Sequence, residues 1–223
     1  MSVEPKPSAT VVLIRNGEEH LELLLLERNT PREEKRGPWV FPGGKIEPAD
    51  RAGPTQSVQQ SARFAAVREA EEEAGLRLDV ARLVPISRWI TPEISPKRFD
   101  TWFFLGCVGS EHEVRVDGGE IRAHRWLAPR EALEAHASGE IRLAPPTFVT
   151  VNWFLSHATT EDALRSLGGE PIPTFRPRVC PRPEGVCILY AGDAGYDEGV
   201  VERAGARHRL WMEPDGWRYE RSG

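Results

Sequence analysis

The stretch GGKIEPADRAGPTQSVQQSARFAAVREAEEEAGL, residues 43–76, decides the fold of this 223-residue chain. It begins with a glycine pair, and its second half predicts a helix that starts near Thr55 or Ser57 and stops at Gly75. Four glutamates fall in the last two turns of this helix, where the helix dipole disfavours negative charge. A local rule broken without local compensation indicates a functional site.

Helical geometry separates one of these glutamates from the other three. At about 100° per residue, Glu69, Glu72 and Glu73 fall within an arc of about 100°, whereas Glu71 points away from it. Beside the arc runs a stripe of small apolar residues suited to packing on a sheet: Ala66, Val67, Ala70 and Ala74. Converging carboxylates at the border of a buried face suit Mg²⁺ or Mn²⁺. Glutamates in such a cluster alone more often form a solvated acidic face, so the surrounding sequence decides between the two.

The surrounding pattern resembles the box of the Nudix family, which is a glycine, five residues, a glutamate, seven residues and R-E-U-x-E-E-x-G-U, with U apolar. Residues 68–76, REAEEEAGL, match the second half if alanine counts as apolar. In the first half Asp50 replaces the glutamate six positions after Gly44, and seventeen residues, 51–67, separate it from Arg68. The box therefore carries an insertion of ten residues.

This resemblance implies both a fold and a chemistry. A Nudix domain is an α/β/α sandwich with a mixed sheet, expected here over about residues 8–160, and it hydrolyses a nucleoside diphosphate linked to another moiety. The implied metal ligands are three carboxylates and one carbonyl: Glu69, Glu72, Glu73 and Gly43. Arg68 is expected to orient a carboxylate. The role of the first box glutamate stays open between three residues: Asp50, Glu47 and Gln60.

Further candidate site residues lie on both sides of the box. Glu120 precedes Trp126 by six residues, a spacing similar to that of a Nudix glutamate that serves as metal ligand or catalytic base. It is preferred over three other downstream carboxylates: Glu111, Glu113 and Asp117. Three cations are candidates for binding substrate phosphates, although a solvated loop would explain the last two equally well: Arg28, Lys97 and Arg98.

The substrate is less defined than the chemistry. The long box spacing, with residues 89–105 and 141–155, is similar to the branch that contains peroxisomal coenzyme A diphosphatases. Coenzyme A species, nucleotide sugars, ADP-ribose, dinucleotide cofactors and oxidised nucleotides all stay compatible. A nucleotide-binding or regulatory module on the same fold, without hydrolysis, is the alternative function. Retention of the three box carboxylates favours the hydrolase.

Composition excludes several other classes. The net charge of −5 argues against binding to a nucleic-acid backbone, which normally requires a basic face. An odd count of three cysteines without a CxxC pair indicates free thiols rather than a disulfide framework or structural zinc. The N-terminus does not have a signal-peptide pattern, and no apolar run has membrane-spanning length. We therefore predict a cytoplasmic protein that does not enter a membrane and acts on a small nucleotide diphosphate.

The remaining elements follow from periodicity and turn residues. Strands are predicted over six ranges: 9–15, 21–28, 83–90, 99–108, 111–116 and 186–190. Further helices are predicted over 129–138, from 145 onward and over 160–167, the last capped by Thr160. We expect a Nudix domain over residues 1–168 and a C-terminal extension over 169–223, a proline-rich linker followed by a hairpin at Pro214-Asp215-Gly216. This extension could cover a substrate cleft, extend the sheet or form a homodimer interface.

Overall fold

The two N-terminal strands carry apolar side chains on both faces and lie inside a mixed sheet. The computed structural model of the protein describes residues 3–30, 37–51, 53, 56–169 and 171–222. The strands are β1 Lys6–Asn16, β2 Leu21–Arg28, β3 Trp39–Val40, β4 Gly43–Lys45, β5 Val84–Ile90, β6 Phe99–Cys107, β7 Ile121–Leu127, β8 Thr174–Phe175, β9 Arg178–Arg182, β10 Gly185–Leu189, β11 His208–Glu213 and β12 Gly216–Arg221. The helices are α1 Val58–Ala74, α2 Pro129–Ala137, α3 Pro145–Trp153 and α4 Thr160–Leu167, with short 3₁₀ turns at Pro48–Asp50, Val80–Arg82 and Phe154–Ser156.

The main sheet has eight strands within the described residues. Its order is β3-β2-β1-β6-β5-β8, with β4 also paired to β1 and β7 to β2. Strands β1 and β6 run parallel, as do β5 and β8, and the other pairs are antiparallel. Parallel and antiparallel neighbours therefore share one sheet, as predicted.

Alternation along β1 divides the interior into two cores. Val11 and Leu13 pack with the alanine stripe of α1, including Ala66 and Ala70, on one face of the sheet. Residues of the opposite parity, such as Val12, pack with helices α2, α3 and α4 on the other face. Helices thus cover both faces, and the predicted α/β/α sandwich is confirmed.

Helix α1 begins and ends at residues that its sequence indicates. Ser57 accepts a hydrogen bond from the Gln60 amide, and the Gln60 side chain accepts one from the Ser57 amide. The helix stops at Gly75, whose φ of 69° lies in the left-handed region that favours glycine. The predicted start at Ser57 is confirmed, and Thr55, the residue that the sequence favours as the cap, lies outside the described residues.

Two local predictions are wrong. Residues 111–116 do not form a strand, because this segment lies against the end of α1: Val114 enters the core under that helix, and the Arg115 amide donates to the Ala74 carbonyl. The cap of α4 is Thr159 rather than Thr160, since the Thr159 hydroxyl accepts from the Asp162 amide. The other predicted strands and helices are confirmed to within a few residues.

The C-terminal extension contains more strand than expected. Its proline-rich part forms β8, which joins the main sheet beside β5, and β9. Strands β9 to β12 make a second antiparallel sheet in the order β12-β11-β10-β9, and the predicted hairpin turn pairs Glu213 with Gly216. Ile188, Tyr190 and Leu210 from this sheet enter the core shared with α2 to α4. The boundary at residue 168 stays a prediction.

A buried ion pair holds the loop between β10 and β11. Arg209 donates from Nε and Nη2 to the two carboxylate oxygens of Asp193, each at 2.7 Å, and from Nη1 to the Val201 carbonyl at 2.8 Å. The amides of Gly195 and His208 donate to the same carboxylate. Both charged groups are almost inaccessible to solvent, so each depends on the other. In the described parts of the chain, no helix combines the length and apolar character needed to cross a bilayer.

We expect Asp193→Ala to lower the free energy of unfolding by about 3–5 kcal/mol, because it leaves the Arg209 guanidinium buried without a counter-charge. Scanning calorimetry checks this, and it should show one transition because the two sheets share a core. The control is Glu202→Ala, which breaks an exposed ion pair with Arg182 and should cost less than about 1 kcal/mol. Equal effects of the two substitutions would contradict the prediction.

Candidate active site

An acidic pocket of about 620 Å³ opens where β1, β4 and the second half of α1 meet. Its walls hold carboxylates, cations and backbone from these elements and from two loops. The lining residues are Ser8, Ala9, Thr10, Arg28, Gly43, Gly44, Lys45, Glu47, Arg68, Glu69, Glu72, Glu73, Phe99, Thr101, Asp117 and Glu120. The three box glutamates that the helical arc selects therefore share one cavity.

The pocket wall, rather than burial, separates the four helix glutamates as the arc predicted, because Glu71 alone of the four does not line it. The Glu69 and Glu73 side chains are only 14% and 6% exposed, whereas Glu72 lies at the rim with 58% exposure. Glu71 points away from the pocket and pairs with Arg77. A Cβ added to Gly43 would lie 2.5 Å from the Ala9 carbonyl oxygen, so backbone excludes a side chain there, and one added to Gly44 would push the Glu69 carboxylate aside.

Arg68 connects the two halves of the box. Its Nε and Nη2 donate to the two oxygens of Asp50, each at 3.1 Å, and Nη2 also donates to the Lys45 carbonyl at 3.0 Å. Its Nη1 donates to Glu69 and Glu72, at 2.9 and 2.8 Å. Arg68 therefore contacts the Glu72 carboxylate, its expected partner one helical turn away.

Among the three candidates for the first box position, Asp50 is the residue that contacts Arg68. It is buried, and its Oδ2 also accepts from the Glu47 amide at 2.7 Å. Gln60 instead completes the cap of α1, and Glu47 lines the pocket. The insertion after Asp50 therefore leaves this carboxylate against the arginine.

Glu73 is the most strongly perturbed carboxylate of the pocket. Its Oε2 accepts from the Gly43 amide at 2.9 Å, while its buried Oε1 has no hydrogen-bond partner among the described residues. The Arg28 guanidinium lies 3.7 Å from that oxygen. Burial raises the pKa of Glu73 from 4.5 to about 7, against the lowering effect of the Gly43 amide and Arg28. Burial likewise raises the pKa of Glu69.

These carboxylates do not form a ready-made metal cage. Within the described parts of the chain, no three histidine, cysteine, aspartate or glutamate side chains are gathered closely enough to hold a metal ion. Arg68 draws Glu69 and Glu72 towards itself, and Glu73 turns to the Gly43 amide. The donor set still fits a hard divalent cation, because the Glu73 carboxylate lines an acidic cavity and, among the described residues, its Oε1 has neither a hydrogen-bond partner nor a counter-charge at bonding distance. Arg68 binds one oxygen of each, Oε1 of Glu69 and Oε2 of Glu72, so ligation by all three carboxylates would use the second oxygen of each.

The downstream carboxylates differ in what they can do. Glu120 lines the pocket, and its carboxylate accepts from Arg28 at 3.0 Å. Asp117 also faces the pocket, but its oxygens accept from the amides of three following residues and shape the loop. Glu111 and Glu113 are not among the lining residues, and Glu113 pairs with Arg115. This placement favours Glu120.

The three predicted phosphate-binding cations are not brought together. Arg28 lines the pocket between Glu73 and Glu120. Lys97 is exposed on its loop, away from the pocket walls. Arg98 is buried and donates to the carbonyls of Thr91 and Val3. Arg28 is therefore the one of the three that faces the carboxylates.

Sequence reasoning missed the polar floor of the pocket. Ser8 and Thr10 on β1 lie beside Thr101 on β6, and the hydroxyls of Ser8 and Thr101 are 2.7 Å apart. Hydroxyl residues at alternate positions at the start of an otherwise apolar strand were the available signal.

Comparison with known proteins supplies the family. A family profile described as NUDIX domain matches residues 4–147. The chain belongs to the Nudix family. The match extends from before the first strand of the sandwich into α3, so it includes the whole box and the acidic pocket.

Two curated relatives bear out the fainter similarity to the coenzyme A branch. The human "Acyl-coenzyme A diphosphatase NUDT19" is 30% identical over 194 residues, covering 84% of this Nudix chain and 50% of the relative. The protein of that name from Gallus gallus is 33% identical over 187 residues, covering 79% and 48%. The chain thus spans about half the length of these relatives.

A solved structure agrees with the fold. The NUDIX hydrolase from Alicyclobacillus acidocaldarius has a TM-score of 0.66 and 25% sequence identity to this Nudix protein. The match covers 76% of this chain and 99% of that one. The C-terminal sheet is therefore an addition to a common Nudix core.

We expect Glu73→Gln to stabilise the metal-free protein at high pH. A carboxyl with a raised pKa stabilises the fold at pH values below its unfolded pKa, and that stability is lost as the pH rises through about 7. The difference corresponds to on the order of 3 kcal/mol. Urea unfolding in the presence of a chelator should therefore show a gain at about pH 8 and little change at about pH 4. Glu71→Gln, at an exposed position, is the control, and an equal gain there would contradict this explanation.

Proposed function

We propose that this chain is a metal-dependent diphosphatase that hydrolyses a nucleoside diphosphate linked to another moiety, with coenzyme A or its acyl derivatives as the substrate class. The observation that carries the proposal is the acidic pocket in which Glu73 keeps an unpartnered oxygen beside Glu69 and Arg28. The names of the two curated relatives support the substrate class. Because the chain spans half their length, its activity is part of the proposal. A cytoplasmic location and a homodimer stay predictions.

The residues that would hold the cation are the three helix carboxylates and the Gly43 carbonyl. Bound Mg²⁺ or Mn²⁺ would neutralise charge on the diphosphate and lower the pKa of an attacking water. Glu69 and Glu73 project from helix α1 and are largely enclosed, so little side-chain entropy is lost when they bind. Arg68 holds Glu69 and Glu72 at the pocket while remaining anchored to Asp50.

The other pocket residues orient the reactants and move the proton. Arg28 presents its guanidinium to the cavity and is suited to a phosphate oxygen. Glu120 accepts a proton from the attacking water, and the bond between the attacked phosphorus and the bridging oxygen breaks. The products are two phosphate monoesters. Positioning and charge neutralisation dominate such a reaction, which is consistent with the density of charged groups here.

Glu72→Gln and Glu73→Gln should each reduce Mg²⁺-dependent hydrolysis by at least about 100-fold, because each removes a carboxylate that would hold the cation that neutralises charge in the transition state. Glu71→Gln should retain activity, since its side chain lies outside the pocket. Chromatographic separation and quantification of the two phosphate monoester products from coenzyme A, acyl-coenzyme A and ADP-ribose check this. Near-normal rates of both variants, or activity that survives complete chelation, would sink the proposed mechanism.

Glu120→Gln should lower kcat by about 10²–10⁴-fold if this carboxylate accepts the proton. The matched controls are Glu111→Gln and Glu113→Gln, which change nearby carboxylates outside the pocket and should leave kcat unaltered. The pH dependence of kcat distinguishes proton transfer from charge stabilisation, because loss of a base removes the acidic limb of the profile. An unchanged kcat of Glu120→Gln would contradict a catalytic role for Glu120 and would leave it as a surface-loop residue.

A further inference from the structure

A second, apolar chamber of about 510 Å³ adjoins the acidic pocket. The two cavities share five lining residues: Thr10, Arg28, Gly43, Phe99 and Thr101. Its volume is within the range of pockets for small molecules. A molecule held at the carboxylates can therefore extend into the chamber past Arg28 and Thr10.

The walls of the chamber come from both sheets. Phe41, Trp89 and Phe103 form the side that belongs to the main sheet. Val179 and Ile188 form the side that belongs to the C-terminal sheet, and they stand directly opposite each other on β9 and β10. Because opposed residues in an antiparallel pair lie on the same face, these two side chains make one continuous apolar surface.

Aromatic stacking fixes this wall in place. Trp89 stacks on Phe175 of β8, with ring centroids 4.0 Å apart and an interplanar angle of 8°. Tyr190, which follows β10, meets the edge of Trp89 at 5.7 Å. Phe175 and Tyr190 of the C-terminal segment therefore pack against the Trp89 ring that lines the chamber. This packing gives the chamber a defined shape.

The side chains that line the chamber determine which part of a substrate can bind there. Among the residues that line the chamber, Arg28 at its mouth is the one that carries a charge. Five hydroxyl side chains also line it, Thr10, Thr91, Ser95, Thr101 and Thr147, but most of the exposed lining is apolar. A sugar placed here would bury part of its hydroxyl groups against apolar surface, which costs binding energy. An extended, largely apolar chain would instead bury its surface against Trp89, Val179 and Ile188.

We infer that the C-terminal sheet builds the specificity wall of the site: Val179 and Ile188 receive the apolar, non-nucleotide arm of the diphosphate substrate. This inference rests on the proposed hydrolysis and adds to it the residues that choose between substrates. It gives the C-terminal extension the first of its three predicted roles, covering a substrate cleft.

The test compares two substrates with a shared adenosine diphosphate and different second halves, octanoyl-coenzyme A and ADP-ribose. Val179→Trp fills the chamber, so the ratio of kcat/KM for octanoyl-coenzyme A to that for ADP-ribose should fall at least about tenfold, mainly through KM. Val179→Ala should lower the same ratio by a smaller factor. Glu184→Trp places the same indole at the exposed turn of the same hairpin and should leave the ratio unchanged.

The outcomes separate the two proposals. A selective loss for octanoyl-coenzyme A in folded Val179→Trp supports the specificity wall. Equal loss for both substrates, or no loss in either Val179 variant, overturns the wall and leaves the proposed hydrolysis standing. If the wild-type protein hydrolyses neither substrate with Mg²⁺ or Mn²⁺, the proposed function falls and this inference with it. Thermal unfolding of each variant establishes that the compared proteins are folded.

Discussion

The site depends on how one guanidinium is shared between four residues. Arg68 has five N–H donors, and its five hydrogen bonds run to two oxygens of Asp50, one carbonyl of Lys45 and one oxygen each of Glu69 and Glu72. These contacts join β4, the 3₁₀ turn and α1. Because they bring the two ends of the long box together, the insertion can lengthen the intervening chain without moving the acidic pocket.

The pocket combines carboxylates on a rigid helix with a carboxylate on a loop. Glu69 and Glu73 project from a regular helix and are largely enclosed, whereas Glu120 is carried by a loop whose shape Asp117 holds through backbone amides. Rigid elements suit groups that must hold an ion in one place. Loops suit groups that must approach a substrate and withdraw. This division fits a site in which Arg28 alternates between the Glu120 carboxylate and a substrate phosphate.

Local patterns were sufficient for most of the fold. Apolar runs and turn residues predicted β1 and β2, the glycine at 75 predicted the end of α1, and the resemblance to the Nudix family implied the sheet covered on both faces. Local patterns failed where a contact with a distant residue decides the structure. Residues 111–116 alternate like a strand, but they cover the end of α1. The proline-rich segment forms β8, where Phe175 stacks on the distant Trp89. In the site, helical geometry placed the three carboxylates. It could not show that Asp50 meets Arg68 or that Arg98 turns inwards to Val3, since both contacts depend on loop paths.

Strand β8 has one more consequence, for the solubility of the protein. It pairs in parallel with the outer side of β5 at Arg88 and Trp89, which is where the main sheet would otherwise end on that side. An open edge of this kind presents unpaired amides and carbonyls to which another chain can add a strand. A two-residue strand with Pro173 directly before it and Pro177 two positions after it offers a much poorer template. The C-terminal segment thus shields the sheet from intermolecular pairing, and loosening it would favour aggregation.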